Sequence, residues 1–214
     1  MRARNALADS ERHLVIRDDE IRVIALAGSP RRGGSSDRLL DAFVAGAREA
    51  GASVARLAIT ELSIAPCDGC AECEAHGRCV ILDDHGPLAD RVQDSDIFVV
   101  STPVYFSGFP GMTKNFVDRF QAHWARRYRL GHTERRGPVG YLLATGGAPS
   151  MKNFDGVNAT FKYLMQAIWG RVGDSVTIPN LDVRGPIGED HEAVRVAREM
   201  GYQSVRQRRE GGIP

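Results

Sequence analysis

The chain has 214 residues, enough for one sizeable core, and its Lys+Arg total of 28 against an Asp+Glu total of 27 gives a formal net charge of +1. That balance excludes a global field suited to nucleic acid or an anionic membrane, and no apolar run reaches membrane-spanning length. All four cysteines lie between Cys67 and Cys79, too local for a disulfide framework, so a reducing, cytoplasmic setting is expected.

Residues 1–20 are too polar for a secretory signal and read as an arm. A folded domain is expected over residues 21–209, with 210–214 a tail. Its first element is the run Ile21 to Ala27, apolar and rich in β-branched residues, as a buried parallel strand requires. Gly28, Ser29, Pro30, Gly33 and Gly34 break that run, and Ser35, Ser36 and Asp37 offer oxygens to cap the next helix. In that helix Leu39, Leu40, Phe43, Val44 and Ala47 share a face before Gly51. Strand, glycine- and serine-rich turn and helix start form an anion trap: backbone N–H groups, the hydroxyls of Ser29, Ser35 and Ser36, and Arg31 or Arg32. The loop is neither G-x-x-x-x-G-K-[ST] nor G-x-G-x-x-G, and Glu61 is a weak match to a ribose ligand. Many serine donors without a second phosphate grip suit a single phosphomonoester.

Ser53 to Ile59 is a second strand, placed at a sheet edge by Arg56. A long connection, Thr60 to Asp84, carries the cysteines, and Pro87 to Val92 is a short helix. Asp96 to Ser101 is the third strand, with Pro103 to Gly108 as the loop at its end. Met112, Phe116, Phe120 and Trp124 then mark one face of a helix, with Lys114, Asp118 and Arg119 elsewhere on it. Val139 to Ala144 is the fourth strand, ending in Thr145-Gly146-Gly147-Ala148; a helix around Phe161, Leu164, Met165 and Ile168 leads to a fifth strand, Asp174 to Ile178, and a last helix holds Ala193, Val196, Ala197 and Met200. Five strands alternating with helices predict an α/β fold, a parallel sheet of order 2-1-3-4-5 with helices on both faces. The loops 28–36, 103–108 and 145–148 then leave the same sheet end, where ligands bind in such folds.

The cysteines follow C-x2-C-x2-C-x5-C: Cys67, Cys70, Cys73 and Cys79. Three thiolates close together, with a fourth after a turn, suit one compact iron–sulfur cube, with Gly69 and Gly77 freeing the backbone and Val80-Ile81-Leu82 anchoring the far end in the core. Zinc, or a redox disulfide through one C-x-x-C pair, are the other readings of the same spacing. Arg126, Arg127, Arg129, Arg135 and Arg136, interleaved with Trp124 and Tyr128, form a basic patch, read as a solvated or subunit-facing helix extension rather than a nucleic-acid site; a docking face for an acidic electron carrier or a nicotinamide phosphate is the livelier alternative.

GSPRRGGSS over residues 28–36 resembles the phosphate loop of the flavodoxin-like NAD(P)H-dependent FMN reductases. The resemblance implies that Ser29, Arg31, Ser35 and Ser36 hold the FMN phosphate. It also implies that Pro103, Val104, Tyr105, Phe106 and Gly108 cradle the isoalloxazine while Thr145, Gly146 and Gly147 approach its other edge. The cysteine spacing and its continuation Val80-Ile81-Leu82-Asp83-Asp84 resemble the iron–sulfur flavoproteins of that superfamily, which pair FMN with a [4Fe-4S] cluster. That implies a flavodoxin-like oxidoreductase, a homodimer or homotetramer with no nucleic-acid or membrane partner. Electrons would pass from a ferredoxin-like carrier or NAD(P)H through the cluster and FMN to a small acceptor such as oxygen, peroxide or a quinone. The alternatives are a cluster-free NAD(P)H-dependent FMN or quinone reductase, and a non-catalytic flavodoxin-like carrier with a zinc-stapled loop.

Overall fold

The structure, a computed structural model, describes residues 20–133 and 136–211. The expected arm thus lies almost wholly outside the described residues, as do Arg135 and the end of the tail. Strands β1 (Arg22–Ala27), β2 (Ser53–Ala58), β3 (Ile97–Pro103), β4 (Val139–Thr145) and β5 (Arg171–Ile178) form one sheet of order β2-β1-β3-β4-β5 with every pairing parallel. This is the flavodoxin-like order read from the sequence.

The alternation of β1 explains the layers. Ile24 and Leu26 point to one face, where α3 (His85–Gln93), α4 (Gly111–Asp118) and α6 (Asp155–Ala167) supply Leu88, Phe116, Phe161 and Met165. Val23, Ala25 and Ala27 point to the other, against Leu40, Phe43 and Val205 from α1 (Ser35–Glu49) and α8 (Glu192–Arg209). Each large side chain so buried contributes about 1.5–3 kcal/mol. Helices α1 and α8 cross backbone to backbone: a Cβ on Gly201 would collide with the Phe43 carbonyl.

Three expectations change. The helix expected through Met112 and Trp124 is two, α4 and α5 (Gln121–Tyr128), because Phe120 N–H bonds Val117 O (3.1 Å) in a tighter turn that re-aims the chain. Met112 is exposed, whereas Arg119, expected on the polar side, is fully buried. The fifth strand starts three residues early, at Arg171, since an edge strand tolerates the exposed Arg171 and Val172. At the far edge Arg56 reaches Asp41 (2.6 Å), as its edge placement requires.

Candidate functional site

Ala27 ends β1, and Gly28 follows where only glycine fits. Its N–H bonds Ser101 O (2.7 Å), its carbonyl accepts from Thr113 Oγ1 (2.6 Å), and a Cβ there would stand 2.8 Å from Ser101 O. Ser29, buried, accepts from Arg31 N–H at 3.0 Å, a serine turn that folds the loop back. Gly33 has φ +68°, and its N–H bonds Asp37 Oδ2 at 2.8 Å. The N-cap of α1 is Gly34, with no side-chain cap. Ser35, Ser36 and Asp37 therefore do not cap the helix as expected; they lie inside its first turn, and its N-terminal N–H groups are left for a ligand. Arg32 pairs with Glu61 (2.6 Å), which takes both away from a ribose or phosphate role.

The loop after β3 is a two-residue hairpin: Tyr105 and Gly108 exchange N–H···O bonds of 3.0 and 2.9 Å. Both central residues are left-handed, Phe106 at φ +50° and Ser107 at φ +63°, in a turn usually filled by Asn-Gly. Phe106 is fully exposed. Val104 N–H bonds Thr145 O (2.8 Å), tying this loop to the one after β4. There Gly146 N–H bonds Ile178 O, while Leu181 and Asp182 N–H groups bond the carbonyls of Gly146 and Gly147 at 3.1 and 3.2 Å. The Asp182 carboxylate occupies the space that a Cβ on Gly147 would need.

These loops enclose a cavity of about 740 Å³. Of the twelve residues expected at a flavin, all but Gly108 line it, and Gly108 closes the Tyr105 turn. Arg31 lines it and Arg32 does not. Gly34, Ser107 and Ala148 also line it from within the three expected loops, whereas sequence reasoning missed Asn153, Leu181, Asp182 and Pro186, three of which arrive from beyond the fifth strand. The one sequence sign was Asn180, a residue that tolerates the left-handed region (φ +69°) and here turns the chain into the short α7 (Leu181–Arg184), bringing in Leu181 and Asp182. An uncapped helix N-terminus, a buried serine turn, a cation and a cavity of cofactor size fit a flavin mononucleotide.

The cysteine loop lies at the same sheet end and contains only a short helix, α2 (Glu72–His76). Cys67 and Cys70 are exposed, Cys73 and Cys79 half-buried, and none forms a disulfide. Burial, then the neighbouring thiols of Cys79, Cys67 and Cys70, push the Cys73 thiol up. Among the described residues no three His, Cys, Asp or Glu side chains are yet gathered at metal-holding separations. The donor set, four thiols on one turn-rich loop, is that of an iron–sulfur or zinc centre.

What anchors this loop differs from expectation. Val80 and Leu82 are exposed, 55% and 95%, and do not enter the core. A buried guanidinium does the anchoring. Arg119 Nη1 donates to Ala65 O (2.9 Å) and Asp83 Oδ2 (2.8 Å), and Nη2 donates to Ile81 O (3.0 Å) and Asp83 Oδ1 (3.2 Å). Burial works against the Asp83 carboxylate, but Arg119 and the N–H groups of Ala65 and His85 outweigh it and hold it below its usual range. The basic patch, read as solvated or subunit-facing, also serves the loop: Arg126 Nε donates to Gly77 O (2.6 Å) and Arg129 pairs with Glu74 (3.4 Å). Arg129 and Arg127 also lie over Trp124 and Trp169, at 5.5 and 5.7 Å.

Residues 21–156 match the model of a family described as NADPH-dependent FMN reductase. The chain is 33% identical over 99 residues, 46% of its length, to an iron–sulfur flavoprotein of Archaeoglobus fulgidus, and 27% identical over 128 residues, 60% of its length, to one of Methanosarcina thermophila. It spans 45% and 64% of the lengths of those relatives. Among solved structures, a flavone reductase superposes with a TM-score of 0.65 at 20% identity, covering 87% of this chain and 62% of that one.

Proposed function

Because the chain belongs to the NADPH-dependent FMN reductase family, we propose that it is an FMN-dependent oxidoreductase carrying a [4Fe-4S] cluster on Cys67, Cys70, Cys73 and Cys79. The observation that supports this reading most is the meeting of the loops 28–36, 103–108 and 145–148 around one cavity, with the cysteine loop tied down at the same sheet end. When bound, FMN supplies the hydride and single-electron chemistry and the cluster single-electron transfer. The chain's part is binding and orientation. Ser29, Ser35 and Ser36 hydroxyls, the open N–H groups of α1 and Arg31 would meet the phosphate, while Tyr105 and Phe106 on one side and the backbone of Gly146 and Gly147 on the other would hold the ring system. The donor is NAD(P)H or a ferredoxin-like carrier, the acceptor is small (oxygen, peroxide or a quinone), and the assembly is a homodimer or homotetramer.

Anaerobic purification and reconstitution test the reading. The expected protein holds one FMN, with iron and sulfide, and replacing any one of the four cysteines by serine lowers iron while FMN stays bound. Flavin without iron in the reconstituted wild type would favour the cluster-free reductase. Zinc without flavin would sink the assignment.

A further inference from the structure

Arg119 is the largest fully buried side chain of the described residues, and no part of the proposed flavin chemistry needs it. A buried guanidinium is costly unless its donors are used, and its four Nη bonds all go to the two ends of the cysteine loop: Ala65 before Cys67, Ile81 and Asp83 after Cys79. Asp83 returns the favour to the backbone, accepting the N–H of Ala65 (2.9 Å) and of His85 (3.0 Å). Nε is buried and has no hydrogen-bond partner among the described residues.

We propose that Arg119 is the positioning residue of the cysteine loop: its Nη groups tie the segment before Cys67 to the segment after Cys79 and so set where the four thiols stand. The loop ends are then held before any metal arrives, by directional bonds that a hydrophobic anchor could not give. The metal half of the proposal rests on the cluster reading; the loop half does not.

Two measurements on Arg119→Lys and Asp83→Asn separate the halves. The first uses metal-free protein with FMN bound and follows tryptic cleavage after Arg78, an exposed site inside the loop. Loosening both ends is expected to speed that cut by about tenfold in either variant, with FMN affinity unchanged. The second follows loss of iron from reconstituted protein to a chelator, where freeing the two loop ends is expected to weaken retention roughly 10–100-fold. A merely structural role would lower the melting temperature without a selective change at Arg78 or in iron retention. Wild-type rates in both measurements would overturn the proposal. Failure of the wild type to take up iron would end the cluster reading, and the tryptic result would still decide the clamp. If Arg119→Lys does not fold, Asp83→Asn, which keeps the shape and one acceptor, carries both measurements.

Discussion

His85 is buried against Phe116 and Phe120, with ring centroids 5.5 and 5.0 Å away and Nε2 3.1 Å from Phe116 O. Burial, helped by the charge of Arg119 and opposed by Asp83 and Asp90, lowers its pKa from 6.5 to about 4. The unfolded chain therefore binds one more proton than the folded one between those values. Its contribution is complete above pH 6.5 and is lost as pH falls toward 4, on the order of 3 kcal/mol in all. Asp83, with its pKa lowered, adds a further loss below the usual carboxylate value. Denaturant unfolding at several pH values should show this acid slope, and His85→Gln should flatten it above pH 4; an unchanged slope would place the titration elsewhere. At the cavity, Arg31→Ala or Ser29→Ala should weaken FMN binding about tenfold, since a hydrogen bond to a charged group contributes about 1.5–3 kcal/mol. Arg32→Ala should leave it nearly unchanged, because Arg32 is spent on Glu61. Isothermal titration of the three variants checks the contrast. Donor chemistry alone offered Arg31 or Arg32, and only the family resemblance favoured Arg31; in the structure Arg31 lines the cavity while Arg32 pairs with Glu61. Arg119 was illegible for a related reason, since its polar spacing at the end of α4 looks solvent-facing and its partners lie 36 to 54 residues upstream.

The Tyr105–Gly108 hairpin holds two non-glycine residues at positive φ, each costing on the order of 1–3 kcal/mol. Such strain is tolerated where the turn must present a particular side chain, and Phe106 stands fully exposed at the cavity mouth. The double variant F106N/S107G restores the residues that the turn prefers. It should raise stability by about 1–3 kcal/mol in denaturant unfolding and slow flavin-dependent turnover; a loss of stability would show that the backbone is not strained here. At this scale the sequence was informative where local pattern decides. Continuous apolar runs located β1, β3 and β4, since strands buried on both faces need no alternation. It misled where a tertiary contact overrides pattern: the break between α4 and α5 follows the burial of Arg119 and Phe120, and the exposed Val80 and Leu82 only resemble an anchor.

Across the whole molecule, α4 links the two candidate cofactor regions. It begins just after the Phe106 hairpin, and Arg119, the residue that follows it, is clamped to the cysteine loop. Eight residues at 1.5 Å each make that spacer about 12 Å long, and its buried Thr113 and Phe116 fix it against β1 and the sheet. The cavity and the cysteine loop are therefore held in one frame within a single chain, although β2, which leads into the cysteines, sits at the sheet edge. A rigid spacer of that kind suits electrons entering at a cluster and passing to a flavin. Stopped-flow reduction by reduced ferredoxin and by NADPH, in the wild type and in Cys73→Ser, tests that direction. With ferredoxin the flavin should reduce quickly in the wild type and at least tenfold more slowly in Cys73→Ser, because the entry group is lost while the cavity is untouched. NADPH, which would have to reach the flavin at the open mouth beside Phe106, should act slowly and equally in both. If NADPH instead reduces the flavin rapidly in both proteins and ferredoxin in neither, electrons enter at the cavity, and the cysteine loop lies off their path.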